Sequence, residues 1–409
     1  MILVAVALVA MAGGCGGQAG LKGASQVSAE VPRAAASAGD AGVAARALSS
    51  FTYALLAHEL GLRNGNVAVS PVSIATALAM VRDGARGTTA AEIDRLLSGV
   101  PDDAMNALAQ QFAARNGTFG AGRVDVDGAD RVFAQQGLQV MAAFLDSLAR
   151  NYGAGVGLVD FEHATEPARQ VVNQWVATQT RGRIGELIKP GVLTTVTRLV
   201  LVNAVYLDAD WQVPFLKQDT APGTFHAPGG EITVPFMHGG AATASATGPG
   251  WQAADLDYAG DQLAMAIIVP DAGSFDIVAR QLPSVVASLD AAPQRGGAVV
   301  VPKFSVASSL SLKQVLSSLG MATAFTPDAD FSGITTEVPL ELADVVHQAD
   351  VRVDEKGTVA AAATGAVAIA TAAPLVVLVA DRPFLFVLHD RPTGAVLFAG
   401  QVTNPGASS

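Results

Sequence analysis

The sequence has little of what disulfide-bonded or nucleic-acid-binding proteins require. Cys15 is its only cysteine, so internal disulfide bonds are excluded and the fold must be stabilised by packing. Charged residues make up 15% of the chain, the net charge is -11, and no basic stripe is present. Because phosphate binding needs clustered Lys and Arg, nucleic acid is not expected as a partner.

Signatures of catalysis are missing as well. The histidines have no metal-ligand spacing, and His58-Glu59 lacks the second histidine of a zinc-protease helix. There is no Gly-x-Ser-x-Gly elbow and no phosphate-binding loop. We therefore expect a protein that is not an enzyme and that uses no cofactor or metal ion.

Hydrophobic residues, in contrast, account for half of the 409 residues, enough for a large core. This length fits two ordinary domains or one large mixed domain. Helical spacing of apolar residues comes first, at 45–61 and 166–180, and apolar runs typical of strands follow at 199–207, 264–269 and 384–388. Helices followed by strands predict an α+β fold.

The N-terminal region differs from the rest of the chain. An apolar run over 2–11, too short to span a bilayer as a helix, leads through small residues to Cys15. Small residues before a cysteine resemble the cleavage site of bacterial lipoproteins and predict a signal peptide over 1–15 with a lipid on Cys15. No Lys or Arg precedes the run, so a plain secretory signal with an incidental cysteine is the alternative.

The segment 16–43 is rich in Ala, Gly and Ser and predicts a flexible tether, followed by one folded domain over 44–409. The protein is accordingly expected to be exported, and either anchored at the cell envelope or secreted. The lipid would be its only contact with the membrane.

Five stretches of the folded part carry the motifs of a known family. They are NVAVSPVSI (66–74), NQWVATQTRGRI (173–184), LVNAVY (201–206), PKF (302–304) with ADFSGI (329–334), and DEKGT (354–358) with DRPFLF (381–386). In this order and spacing, over 45–405, they resemble the serpin family of serine protease inhibitors.

The resemblance implies a fold with three β-sheets, about nine helices and an exposed reactive loop over about 355–380. In the family a protease cuts this loop, which then inserts as a new strand into the large central sheet and carries the covalently attached protease with it. The implied partner is a serine protease held as an acyl-enzyme, and the inhibitor is expected to be a monomer. A non-inhibitory serpin, acting as a surface binding protein or chaperone, is the alternative.

The composition of the loop fits insertion into a sheet. No residue between Gly357 and Ala380 is charged, and Pro374 and the glycines argue against a transmembrane helix of this length. Alternate residues of a strand face the same way, so every second residue from Thr358 to Thr364 would face the core, and all of these are small and uncharged. The hinge implied by the resemblance comprises Glu355, Gly357, Thr358, Val359, Ala360, Ala361, Ala362 and Ala363. An Ala-rich helix is the other interpretation of this run while it is exposed.

Two scissile bonds remain possible. Counting forward from Thr358 as in the family places the cut after Thr371, and counting back from Pro383 places it after Ala372. The surrounding residues 369–373 are small and apolar. A trypsin-like pocket needs Arg or Lys here, so an elastase-like or subtilisin-like target is expected.

The resemblance also places two groups of residues around the central sheet. Ser70, Ser73, Asn203 and His347 match the shutter, where strands part for the loop, and a polar cluster there could hold the sheet closed. Trp211, Lys303 and Glu355 match the breach, where insertion begins. A Lys303–Glu355 ion pair is expected to fix the base of the loop.

Overall fold

The computed structural model of the chain describes residues 24–37, 39–61, 64–294, 296–358 and 376–407. The α-helices within these ranges are α1 Asp40–Ala47, α2 Ser49–Glu59, α3 Pro71–Arg82, α4 Gly87–Leu96, α5 Asp102–Ala113, α6 Ala142–Ser147, α7 Thr165–Gln179, α8 Phe275–Arg280, α9 Leu282–Asp290 and α10 Lys313–Ser318. The strands are β1 Ser25–Val27, β2 Val67–Val69, β3 Gly117–Phe119, β4 Gly122–Gln135, β5 Val156–Val159, β6 Leu199–Asp210, β7 Ala221–Ala227, β8 Gly230–Gly248, β9 Trp251–Asp257, β10 Leu263–Pro270, β11 Gly297–Pro302, β12 Phe304–Ser311, β13 Val345–Val353, β14 Gly357–Thr358, β15 Val376–Val379, β16 Phe384–Asp390 and β17 Val396–Val402.

An eight-stranded sheet runs through the middle of the molecule in the order β1-β5-β4-β6-β14-β13-β12, with β3 paired to β4. All twelve residues of β6 are buried, as expected for an apolar run covered on both faces. Val200, Val202 and Ala204 pack towards α7 on one face. Leu201, Val205 and neighbours pack on the other face into the main core, which includes α3 and the second sheet.

The second sheet has nine strands in the order β15-β11-β8-β9-β10-β16-β17-β2, with β7 paired to β8. The α+β class is thus confirmed, but the three sheets implied by the resemblance form two hydrogen-bonded sheets in the described residues. The cause is β8, whose first half pairs with β7 and β11 and whose second half pairs with β9. Gly239 and Gly240, with φ of 106° and 57°, let this 19-residue strand turn between its two sets of partners.

The prediction of a flexible tether over 16–43 is wrong for its described part. β1 pairs antiparallel with β5 at the edge of the eight-stranded sheet. The Arg33 side chain donates to Asn106 at 2.9 Å, the Ala34 N–H donates to the Arg150 carbonyl at 2.8 Å, and α1 begins at Asp40. A three-residue edge strand and isolated hydrogen bonds leave no sequence periodicity, which is why composition alone indicated a tether. Residues 16–23, like Cys15, lie outside the described residues.

Within the described residues, no helix combines the length and the apolar character needed to cross a membrane.

Candidate functional site

The site centres on a split between two parallel strands. β6 and β13 pair in parallel from Leu201 and Val345 as far as Tyr206 and Asp350. Beyond this point β14 lies between them and pairs antiparallel with both. The two strands are therefore paired directly over one part of their length. Over the other part they are separated by the two residues of β14.

A tight turn directs β14 into the split. The Asp354 Oδ1 accepts a hydrogen bond from the Lys356 N–H at 2.9 Å, which is the geometry by which Asp favours turns. The Asp354 N–H donates to the Gly357 carbonyl at 2.8 Å. Gly357 then passes so close to β6 that a Cβ there would lie 2.0 Å from the Ala209 carbonyl oxygen. Only glycine fits at this point of the hinge.

Thr358, the next residue, is fully buried and lies opposite Ala209 of β6 and Val353 of β13. Its side chain points inward, and its Oγ1 is 2.7 Å from the hydroxyl of Tyr258. Within the expected exposed loop over 355–380, residues 357–358 are therefore already held in the sheet as β14, Glu355 is buried, and 376–379 form β15.

Tyr258 is a contact that the sequence reasoning missed. Its ring stacks on Trp211 with centroids 4.4 Å apart, and burial raises its pKa well above the usual range, so the phenol stays neutral. Tyr258 directly follows β9, and nothing in the local sequence connects it with a loop 100 residues away.

The breach residues meet as the resemblance implied. Lys303 Nζ is 2.9 Å from Glu355 Oε2, and the Thr220 hydroxyl donates to Glu355 Oε1 at 2.9 Å. Trp211 Nε1 donates to the Asp354 carbonyl at 3.0 Å. Burial opposes ionisation of Glu355, but the hydrogen bonds from Lys303 and Thr220 outweigh burial and hold its pKa below the usual range. The Glu355 carboxylate is thus fixed in its charged form at the base of the loop.

The rest of the predicted hinge and the scissile bond cannot be placed. Val359 to Ala363, Thr371 and Ala372 lie outside the described residues. Their assignments stay predictions.

The shutter residues come together beneath the closed part of the split. Ser70 is the N-cap of α3: its Oγ accepts from the Ser73 N–H at 3.4 Å, and Pro71 occupies the first helical position. This cap brings Ser70 and Ser73 against β6 and β13. Asn203 and His347 lie directly opposite each other on these two strands.

The hydrogen bonds of the shutter have fixed directions. The Ser70 N–H donates to His347 Nε2 at 3.1 Å, so Nε2 is an acceptor and the proton of the neutral ring is on Nδ1. His347 Nδ1 therefore donates to Asn203 Oδ1. The Asn203 Nδ2 group donates to the Ser73 hydroxyl at 2.5 Å and also to the carboxyl of Asp130.

Burial lowers the pKa of His347 to about 3, so the ring is neutral at physiological pH and all its nitrogens are satisfied. Asp130 is the member of this cluster that sequence reasoning missed. It lies opposite Asn203 on β4, a strand that the sequence did not predict. Without that strand the local sequence gave no reason to associate Asp130 with the shutter.

A separate cluster of acidic and histidine side chains among the described residues has the composition of a metal site. The ligand atoms of Asp255, Asp290 and His389 lie within 4.8 Å of one another. Asp255 is, however, already partnered by two basic side chains: His389 Nε2 is 3.3 Å from its Oδ1, and Arg391 Nη2 is 3.3 Å from its Oδ2. These ion pairs account for the buried carboxylate without a metal ligand role.

Comparisons with known proteins cover this whole site. A protein-family model described as Serpin (serine protease inhibitor) matches residues 46–405. An uncharacterized serpin-like protein of Thermococcus kodakarensis is 37% identical over 88% of this chain and 85% of its own length. The leukocyte elastase inhibitor of Xenopus tropicalis is 34% identical over 83% of this chain and 93% of its own. The crystal structure of Serpin48, a highly specific serpin of the insect Tenebrio molitor, aligns with a TM-score of 0.76 at 29% identity, covering 88% of this chain and 97% of that one.

Proposed function

The chain belongs to the serpin family, and we propose that it inhibits a serine-type endopeptidase by suicide-substrate trapping. Members of this family are mostly protease inhibitors. The observation that carries the proposal is the position of β14, because Gly357 and Thr358 already begin a new strand between β6 and β13. A loop cut beyond this point can extend the same strand.

The register of β14 supports this extension. Gly357 lies opposite Asp210 and Thr358 opposite Ala209, so continuing the strand would place Thr364 opposite Asn203. In antiparallel pairs, directly opposite side chains share a face of the sheet. Thr358 shares its face with Ala209, and the alternate β6 residues Leu207 and Val205 also belong to the main core. The small side chains at 360, 362 and 364 would therefore enter that core.

The proposed mechanism joins this geometry to what the family resemblance implies. The protease attacks the loop after residue 371 or 372 and forms an acyl-enzyme. The freed loop then exchanges the direct β6–β13 pairing for two new ladders of backbone hydrogen bonds, one with each strand. The attached protease is carried to the far end of the eight-stranded sheet before water can release it.

The target class is proposed from the loop. Residues 369–373 are small and uncharged, which favours a shallow apolar pocket of the elastase or subtilisin type. The similarity to a leukocyte elastase inhibitor supports the same class. No Lys or Arg is available at the candidate bonds to enter a trypsin-like pocket.

The proposed function predicts a covalent complex. Incubation with pancreatic elastase or subtilisin should produce an SDS-stable band of the summed mass and a matching loss of protease activity. Trypsin, and elastase blocked at its catalytic serine, are the controls and should give no such band. Cleaved protein beside fully active elastase and subtilisin would contradict trapping and favour a non-inhibitory serpin.

We also propose that the protein is exported and held at the cell envelope by a lipid on Cys15. The support is the only cysteine of the chain, placed after a short apolar run and small residues. Cys15→Ser should move the protein from the membrane fraction to the soluble fraction and abolish labelling by a radioactive fatty acid. Equal membrane recovery of the wild type and Cys15→Ser would contradict the anchor.

A further inference from the structure

Three side chains form a row across the closed part of the eight-stranded sheet. Asp130 on β4 is in register with Asn203 on β6, which is in register with His347 on β13. Asn203 is hydrogen-bonded to both neighbours. Insertion of a strand between β6 and β13 would separate Asn203 from His347 by about 10 Å, twice the spacing of adjacent strands. Loop insertion must therefore break this row at the Asn203–His347 bond.

Asp130 is the end point of the row. His347 donates to Asn203, and Asn203 donates both to Asp130 and to the Ser73 hydroxyl. Ser73 also bonds to Asp130, so both branches end at this carboxyl. Within the described part of the chain, no Lys, Arg or His forms an ion pair with Asp130. A carboxylate here is hydrogen-bonded but has no compensating cation.

Asp130 also lines a cavity of about 310 Å³, together with Arg33, Arg131 and Tyr152. Both cations are held away from it. Arg33 bonds to Asn106, and the Arg131 guanidinium lies 4.5 Å from the ring centroid of Trp175.

These groups differ in their titration. Burial raises the pKa of Asp130 to about 7, against the hydrogen bonds from Asn203 and Ser73, which lower it. Burial lowers the pKa of Arg131 to about 10 and that of His347 to about 3, and it raises the pKa of Tyr152 well above the usual range. Burial also lowers the pKa of Arg33, but guanidinium groups stay protonated in proteins. Among the described groups facing this region, Asp130 is therefore the one that changes charge between pH 5 and 8.

We propose that Asp130 is a positioning residue for loop insertion. The charge on its carboxyl acts through Asn203 on the hydrogen bond to His347, and as pH rises it makes the separation of β6 from β13 faster. The proposal rests on the loop-insertion mechanism above. Asp130 is half-buried at the wall of the cavity, and its uncompensated charge is less well hydrated there than in water, so the charge is disfavoured in the closed sheet. Parting the strands moves the His347 ring away and admits water to the row. Opening therefore stabilises the ionised carboxylate of Asp130 more than its neutral carboxyl form.

A synthetic peptide isolates this step from the protease. Acetylated and amidated TVAAAATGAVAIAT, the sequence of residues 358–371, has no titratable group. Its rate of incorporation into the intact protein, followed by native gel electrophoresis, should rise about fivefold to tenfold between pH 5.5 and 8. This is the change expected if opening lowers the pKa of Asp130 by about one unit. In Asp130→Asn the rate should be nearly independent of pH, because the amide is isosteric and does not titrate.

Two controls distinguish an effect of Asp130 on strand separation from an effect on folding. Asp146→Asn, at an exposed carboxyl on α6, should keep the wild-type pH profile. A raised pKa in the folded protein means that ionisation of Asp130 costs stability as pH rises from about 4 to 7. The melting temperature of Asp130→Asn relative to wild type should therefore be higher at pH 8 than at pH 5, which shows that the variant folds and that Asp130 titrates.

Two results would overturn the inference. One is a wild-type rate that is flat or falls with pH, and the other is an unchanged pH profile in Asp130→Asn. Incorporation at one rate at every pH would leave the proposed function standing and contradict only the role of Asp130. Failure of the peptide to incorporate at any pH would contradict insertion itself, and the role of Asp130 with it.

Discussion

Thr358→Arg is expected to convert the protein from an inhibitor of its target protease into a substrate. Thr358 is fully buried between β6 and β13, and its hydroxyl is 2.7 Å from that of Tyr258. The side-chain hydrogen bond of Thr358 is to the neutral phenol of Tyr258, which gives a guanidinium at this point no ion pair. An unpaired buried ion costs roughly 3–5 kcal/mol. The first two residues of the inserted strand would leave the sheet, and extension from them would be blocked.

The competition after acylation decides the measurable result. Loop insertion must be faster than hydrolysis of the acyl-enzyme, and a barrier raised by about 3 kcal/mol slows insertion by roughly two orders of magnitude. Incubation of Thr358→Arg with elastase should therefore give cleaved protein, active protease and no SDS-stable band. The initial rate of loop cleavage should be unchanged, because the cut lies far along the chain from residue 358.

Two variants serve as matched controls for Thr358→Arg. Thr358→Ser keeps the small size and the hydroxyl, so it should still trap elastase one-to-one. Tyr258→Phe removes only the hydroxyl partner, at a cost of about 1–2 kcal/mol, and should lower the yield of complex partially. One-to-one trapping by Thr358→Arg would show that β14 is not the start of the inserted strand.

The second large effect concerns stability after cleavage. Cutting the loop near Thr371 should raise the melting temperature by roughly 20 °C or more. Extension of β14 along β6 from Val359 to about residue 368 would add on the order of ten backbone hydrogen bonds to each neighbour and would lose those of the direct β6–β13 pairing. Each hydrogen bond contributes about 1 kcal/mol before the cost of ordering the chain. In large domains about 1 kcal/mol corresponds to 2–4 °C.

The comparison of cut and uncut protein by calorimetry tests this directly. Thr358→Arg, cut by the same protease, is the control and should show little gain because its loop cannot insert. An unchanged melting temperature in the cut wild type would mean that the loop stays outside the sheet. That result would favour a non-inhibitory serpin.

Much of this site was accessible from the sequence because its signals are local. The apolar run of β6 and the small residues after Gly357 each reflect a requirement of one short segment. The Lys303–Glu355 pair was expected from family motifs and is present at 2.9 Å.

Other elements could not be predicted for equally physical reasons. β4 was missed because its fourteen residues include Asp and Gly, which carry no clear strand pattern, and with it the role of Asp130 was missed. The composition of 16–43 predicts a tether because the contacts of its described part depend on a short edge strand and on the side chain of Arg33.

The sequence by itself determined the family, the α+β class and the small, uncharged character of the hinge, since these follow from residue types at fixed spacings along the chain. Only the tertiary structure decided which of those residues meet. Thr358 and Tyr258 are 100 residues apart, and Asn203 is 73 residues from Asp130 and 144 from His347. Such contacts depend on the register between strands, where a slip of one residue turns every side chain to the opposite face. Register is set by the packing of the whole sheet, so the start of the inserted strand and the acid at the end of the shutter row became visible only in the fold.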